Sequence, residues 1–323
     1  MHPARLLDML AVAEKAAIAS ANWIGRGDKT AADQAATTAM RDAFNDLDIC
    51  GRIVIGEGER DEAPMLFIGE ELGLGGEELD IAVDPLEGTN LCAFGKPNAL
   101  TTVAVAPRGT LLYAPDTYMD KIAAGPACTG VVGIDKAPAE NVAAVARTLG
   151  KSVEDVVVCI LDRPRHQDLI AAVRAAGARI RLIDDGDVFG AIATAVPGTG
   201  IDLYLGSGGA PEGVLACTGL KAIGGVFEGR LRFDLDEDGE EKRCRAEQTA
   251  EVDLDGVLTM DMLVRSDDAA FVACGVTDGE MVSGVTRADG SIVTECVLMN
   301  AADRTVRFVK TCHRGETGAV RFR

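Results

Sequence analysis

Apolar residues recur at Leu6, Leu10, Ala13 and Ala17, a spacing that turns one face of an α-helix toward a core. An Ala-rich run from about Thr30 to Phe44 predicts a second helix, and Gly25-Arg26-Gly27-Asp28 separates the two as a turn. Ile53-Val54-Ile55 reads as a short strand ending in Gly56-Glu57-Gly58-Glu59-Arg60-Asp61. Ile81-Ala82-Val83 reads as another, expected to stop at Asp84-Pro85 because proline cannot donate to a ladder. Thr101 to Ala106 and Thr110 to Tyr113 are expected to form a hairpin around Pro107-Arg108-Gly109.

The rhythm then changes. Val156 to Leu161 is a continuous apolar run, as expected of a strand buried on both faces. A helix from about His166 to Ala176, strand Arg179–Ile183, helix Val188–Val196, strand Asp202–Leu205 and helix Gly213–Ile223 follow. This alternation predicts a parallel sheet with right-handed crossovers. From about Asp234 the pattern reads as β-meander, with a good hairpin turn at Ala288-Asp289-Gly290-Ser291, expected to close one edge of that sheet. The fold class is α/β: an α+β lobe over residues 1–130 and a parallel-rich α/β lobe over 131–323 that includes the meander.

Length supports two lobes, since 323 residues exceed the size at which one core stops growing, about 250–300. Charge narrows the partners. With 32 Lys and Arg against 51 Asp and Glu, the net charge is −19. That leaves no cationic surplus for nucleic acid or for an anionic membrane surface. A phosphate ligand would need the local field reversed, and a divalent metal is the usual means. The nine cysteines include no C-x-x-C pair, and the N-terminal region shows no uninterrupted apolar segment of the leader type. The expectation is a soluble cytoplasmic protein with reduced thiols.

The strongest chemical signal is Asp84-Pro85-Leu86-Glu87-Gly88-Thr89, where an apolar strand ends in two carboxylates, a glycine and a hydroxyl. Hard divalent ions take such oxygen ligands. The same residues also fit a helix N-terminus, with Asp84 as N-cap and Glu87 as its capping-box partner. Glu57, Glu59, Asp61 and Glu62 form a second acidic turn at the end of a strand, readable as a solvated loop. Two such turns in one lobe repel one another unless cations intervene. Asp33 lies inside the Ala-rich helix and, taken alone, reads as a solvated surface acid. In the second lobe the three strand ends carry Asp162-Arg163-Pro164-Arg165, Asp184-Asp185-Gly186-Asp187 and Gly206-Ser207-Gly208-Gly209-Ala210-Pro211-Glu212. Ligands of open α/β sheets bind at such carboxyl ends.

These residues carry a resemblance. The Asp84–Thr89 segment resembles the metal-binding turn of the lithium-sensitive, inositol-monophosphatase-like sugar phosphatases, in the version found in class II fructose-1,6-bisphosphatases. Residues 56–66, Asp185-Gly186-Asp187 and residues 206–213 are similar to the same class, in register across nearly the whole chain. The resemblance implies a layered α/β/α/β/α fold and hydrolysis of the 1-phosphate of fructose 1,6-bisphosphate by in-line attack of a metal-activated water. It implies Mg²⁺ or Mn²⁺, two or more per site, with Asp33 and Glu57 on one ion and Asp84, Glu87 and Glu212 on a second. Thr89 would orient the water, with Asp61 handling protons or supporting metal. The sugar bisphosphate would be held by Glu87, Gly88, Thr89, Tyr118, Arg163, Pro164, Arg165, Asp185, Gly186, Asp187 and Gly209. A homodimer or homotetramer is implied as well.

Other signals weigh less. Asp234–Gly239 opens like an EF-hand loop, but its twelfth position is Arg245, so a solvated hairpin is the better reading. Residues 206–211 imitate a dinucleotide fingerprint with Pro211 in place of its last glycine, which argues against a dehydrogenase. His2, His166 and His313 are too scattered for a histidine-ligated metal, and Cys92 and Trp23 read as packing residues. Two rivals stay open: a dual enzyme that also takes sedoheptulose 1,7-bisphosphate, and a non-catalytic sugar-phosphate sensor.

Overall fold

The computed structural model describes residues 3–58, 65–249, 251–288 and 290–314. The chain opens with helices α1 (Pro3–Ser20) and α2 (Lys29–Asn45) and strands β1 (Ile49–Ile55), β2 (Glu71–Leu72) and β3 (Glu77–Glu87). A short helix α3 (Thr89–Ala93) and β4 (Leu100–Pro107) follow. Next come β5 (Tyr118–Ala124), α4 (Pro138–Leu149), β6 (Val157–Leu161), α5 (Gln167–Ala175), β7 (Arg179–Ile183) and α6 (Asp187–Ile192). Then follow β8 (Leu203–Gly209), α7 (Ala210–Ile223), β9 (Val226–Arg232), α8 (Gly239–Thr249), β10 (Leu258–Thr259) and α9 (Met260–Leu263). Strands β11 (Ala270–Gly275), β12 (Thr286–Ala288), β13 (Ser291–Asn300) and β14 (Thr305–Arg314) complete the described chain.

Contacts divide these elements into two units, Met1–Gly109 with Asp268–Arg323, and Thr110–Asp267. The expected boundary near residue 130, with everything after it in the second lobe, is therefore corrected. The last strands belong to the first sheet, whose order is β12-β13-β11-β4-β3-β1-β2, with β14 along the other side of β13. Strand β11 is buried along its whole length and lies between β4 and β13, so its backbone groups are satisfied on both edges. The expected hairpin from β4 into residues 110–113 is absent for the same reason. Strand β4 is almost wholly buried and takes β3 and β11 as neighbours, while Leu111 bridges to Val264 in the second unit.

Helices α1 and α2 cover one face of the first sheet. Met9, Met40 and Phe44 pack there against Ile49, Ile53, Leu79, Ile81 and Val103, all fully buried. Each large side chain so removed from water contributes about 1.5–3 kcal/mol. Trp23 packs at the margin of this core, with Arg26 over its ring at 5.5 Å. Strand β3 does not stop at Asp84. It runs through Pro85 to Glu87, and its register with β4 shifts between Asp84 and Glu87. A bulge at that point tolerates the donor that proline lacks.

The sheet of the second unit has the order β10-β9-β5-β8-β6-β7. Strands β7, β6 and β8 run parallel, as the alternation predicts, whereas β5, β9 and β10 are antiparallel, so the sheet is mixed. Val142 and Val145 of α4 and Ile170 and Val173 of α5 pack on Val158, Ile160, Leu203 and Leu205. Helices α6 and α7 contact each other and strands β5 and β8. The expected meander after Asp234 is replaced by a 3₁₀ turn at Phe233–Leu235 and by α8, so the acidic run is no hairpin. Residues Gly239-Glu240-Glu241-Lys242-Arg243 explain this: acids in the first turn and straight-chain residues after it favour a helix. The later turn agrees with the sequence, with Ala288 opposite Ser291 across β12 and β13. Among the described residues no helix is long and apolar enough to cross a membrane.

Candidate active site

In the first unit, four carboxylates fall into two pairs. Asp33 stands in α2, which starts where Asp28 accepts the main-chain N–H of Ala31 at 2.9 Å. Half-buried rather than solvated, Asp33 hydrogen-bonds Glu57 at the end of β1. Burial pushes the Asp33 carboxyl above its ordinary range, and Glu57 opposes that shift. Gly56 makes room for the turn, because a Cβ there would lie 1.9 Å from the Leu66 carbonyl oxygen. The other acids of this turn, Glu59, Asp61 and Glu62, lie outside the described residues.

The second pair is Asp84 and Glu87, each offering an oxygen within 4.8 Å of the other. Neither caps a helix. Helix α3 begins only at Thr89, and its N-cap is Gly88, held left-handed at φ +80°. The Asp84 carboxylate instead accepts the N–H of Leu86 at 3.0 Å, and Thr101 donates to the Pro85 carbonyl at 2.9 Å, bracing the bulge. The Thr89 hydroxyl donates to the carbonyl of Leu86 at 3.0 Å. With its proton engaged there, the Thr89 oxygen keeps its lone pairs as acceptors.

The second unit gathers the remaining candidates at the carboxyl ends of its parallel strands. Arg165 gives two hydrogen bonds to the Ser207 carbonyl, at 3.0 and 2.7 Å, and its guanidinium lies 4.7 Å from the centre of the Tyr118 ring. Arg163 reaches Asp185 at 3.3 Å. Pro164 opens the intervening 3₁₀ turn. Gly186, at φ +84°, turns the chain so that Asp187 begins α6. Gly209 is the N-cap of α7, and Glu212 stands in its first turn. Burial raises the Glu212 carboxyl, opposed by Lys121 and reinforced by Asp187. Its Oε2 is buried without a hydrogen-bond partner.

Three residues that sequence reasoning missed support this group. His166 links strand ends: its Nδ1 lies 2.7 Å from the Leu161 carbonyl, and its Nε2 accepts the N–H of Ser207 at 2.8 Å. Asp120 accepts the Ser207 hydroxyl and pairs with Arg232 at 2.6 Å. Lys121, 2% exposed, pairs with Asp187 at 2.7 Å. A cavity of about 270 Å³ opens here, lined among others by Asp120, Lys121, Arg165, His166 and Arg232. The one signal that could have pointed to Lys121 is a charged residue at an inward position of an apolar strand.

The metal-binding capacity of these residues rests on their donors. All are hard carboxylate oxygens, and the orphaned Oε2 of Glu212 is an acceptor that a cation would satisfy, so these donors suit a hard divalent cation.

Paired carboxylates beside a hydroxyl are the kind of donor set that metal-assisted hydrolysis of phosphate esters employs. The family profile described as bacterial fructose-1,6-bisphosphatase, glpX-encoded, matches residues 4–313, and the chain belongs to that family. A relative from Acaryochloris marina, named D-fructose 1,6-bisphosphatase class 2/sedoheptulose 1,7-bisphosphatase 2, is 43% identical over 332 residues, 96% of this chain and 95% of that one. A relative of the same activity name from Synechocystis sp. is 43% identical and covers 97% of both chains. A solved inositol monophosphatase from Anabaena matches 59% of this chain and 73% of that one at 17% identity, with a TM-score of 0.30, too low to bear on function.

Proposed function

We propose that this chain hydrolyses the 1-phosphate of fructose 1,6-bisphosphate, giving fructose 6-phosphate and phosphate. The observation that carries the reading is the pairing of Asp33 with Glu57 and of Asp84 with Glu87, the second pair running directly into Gly88 and Thr89. Family membership over residues 4–313 supplies the substrate class. Asp33 and Glu57 would hold one Mg²⁺ or Mn²⁺, and Asp84, Glu87 and Glu212 a second. Such ions, when bound, lower the pKa of a water and neutralise charge on the phosphoryl group. Thr89, its own hydroxyl proton committed to the Leu86 carbonyl, would accept a hydrogen bond from the attacking water and so turn a lone pair of that water toward phosphorus. Arg163 and Arg165 suit bidentate contact to phosphate, and Asp185 and Asp187 suit the hydroxyls of the sugar. Tyr118, Gly209 and the Glu87–Thr89 turn complete the grip, and Asp61 serves proton handling or metal support.

A second reading, action on sedoheptulose 1,7-bisphosphate as well, is favoured by the names of the two relatives above. Assembly as a homodimer or homotetramer and a cytoplasmic location belong to the same proposal. The test is phosphate release from both bisphosphates and from inositol monophosphate, with Mg²⁺, Mn²⁺ or EDTA, for the wild type, Thr89→Ala and Asp84→Asn. Metal-dependent release that collapses in both variants is expected. No release from folded wild type under any condition overturns the reading and leaves a sugar-phosphate sensor.

A further inference from the structure

Lys121 is a charge in an unusual place. It lies mid-strand in β5, is 2% exposed, and packs where Gly206, Gly208 and Gly213 present no side chains. Its ammonium contacts Oδ2 of Asp187 at 2.7 Å, and the Tyr204 hydroxyl donates to the same oxygen at 3.2 Å. Two donors on one oxygen fix the carboxylate's rotation and leave Oδ1 as the oxygen turned away from them. Space is arranged around the contact. A Cβ on Gly208 would fall 1.9 Å from Oδ2 of Asp187 and 3.1 Å from the Lys121 nitrogen, and one on Gly209 would fall 2.1 Å from Oε2 of Glu212. The β8–α7 turn is stripped of side chains beside this ion pair and beside Glu212, whose carboxylate also feels the Lys121 charge. Burying a lysine is costly unless a partner meets it, so a core lysine of this kind needs a reason.

We propose that Lys121 is a positioning residue for substrate recognition: with Tyr204 it holds Asp187 so that Oδ1 accepts a hydroxyl of the bound sugar phosphate. The inference rests on the phosphatase reading above and assigns Lys121 no contact with substrate. Its effect therefore passes through Asp187 and falls on KM before kcat.

The test is a double-mutant cycle with fructose 1,6-bisphosphate and saturating Mg²⁺, comparing wild type, Lys121→Met, Asp187→Asn and the double variant, with circular dichroism as the check on folding. Lys121→Met is expected to raise KM roughly 10-fold or more, as truncating one member of a buried charge pair does. The double variant should have a KM no higher than Asp187→Asn alone. Should Lys121→Met fail to fold, Tyr204→Phe removes the other donor to Oδ2 without leaving a charge, and it should raise KM about 3-fold. Equal effects of Lys121→Met in the two backgrounds, or a fall in kcat at unchanged KM, overturn the proposal. A wild type without activity overturns the phosphatase reading and this inference with it.

Discussion

Ser207 donates its main-chain N–H to Nε2 of His166 at 2.8 Å, and this contact settles which ring nitrogen carries the proton. An accepting Nε2 leaves Nδ1 as the donor, aimed at the Leu161 carbonyl at 2.7 Å. The ring is thus neutral, and it ties the end of β6 to β8 on either side of Arg163 and Arg165. Burial, the largest cause, lowers the His166 pKa, and the neighbouring Arg165 and Arg163 act in the same direction. A histidine with a depressed folded pKa contributes stability that is present above the unfolded value of 6.5 and is lost as pH falls through the folded one. Nitrogen-15 NMR at neutral pH should show the Nδ1–H tautomer, and urea midpoints should fall below about pH 6.5 more steeply for wild type than for His166→Asn. An Nε2–H tautomer would refute the assignment.

Divalent ions should act on the two carboxylate pairs in opposite senses before and after binding. Without a cation the Asp33–Glu57 pair costs stability, so Asp33→Asn should melt higher than wild type in EDTA. With Mg²⁺ at a hundred times its dissociation constant, the wild type should gain about 2.7 kcal/mol, and the variant much less. Differential scanning calorimetry in both buffers reads this crossing directly. Parallel curves for the two proteins would sink the idea.

Asp80 offers a contrast, as an acid held for structure alone. It is fully buried in β3, bonded to Arg52 at 2.8 Å with Arg108 4.0 Å away. Removing its charge takes the ion-pair partner from Arg52 and leaves Arg108 with the Cys50 carbonyl and Glu71, while both Nε atoms are already buried without a hydrogen bond. Asp80→Asn should lose about 3 kcal/mol in urea unfolding, the low end for a broken buried pair, because Arg52 is partly solvated. Kinetic constants at low temperature should stay near wild type.

The thiols should divide by burial. Cys92 is fully buried, and burial pushes its pKa up to about 11, so it stays protonated and unreactive at neutral pH. Cys244 and Cys312 are exposed. Brief iodoacetamide treatment followed by peptide mass spectrometry should label these two and spare Cys92. Cys92→Ala should keep its metal-dependent activity. A labelled Cys92 in the folded protein would contradict the burial.

The alternation from Val156 to Ile223 was legible because each element is a short run of one period bounded by Gly, Pro or Asp, and the structure follows it within a few residues. The turn at Asp84 and Glu87 was legible as a place, since the two acids are three residues apart at the end of an apolar strand. Their freedom from capping was not, because it depends on β3 running through Pro85. Asp33 could be tied to Glu57 only by resemblance, for neither periodicity nor composition says that α2 meets the end of β1. Lys121 and Asp187 are separated by 66 positions, and nothing local marks either as the other's partner. The first sheet escaped for a similar reason: β4 finds β11 only after the whole second unit has intervened.

That pairing has a consequence for how the chain is made. Strands β4 and β11 lie side by side, with Val105 opposite Ala270, yet every residue of the second unit is synthesised between them. The second unit is continuous in sequence and can close its own sheet as it leaves the ribosome. The first cannot, since its central strand has one edge open until β11 arrives. A nascent chain must carry that open edge through the synthesis of an entire neighbouring unit. The segment bearing four of the acidic residues is thus translated before the second unit and finished only after it.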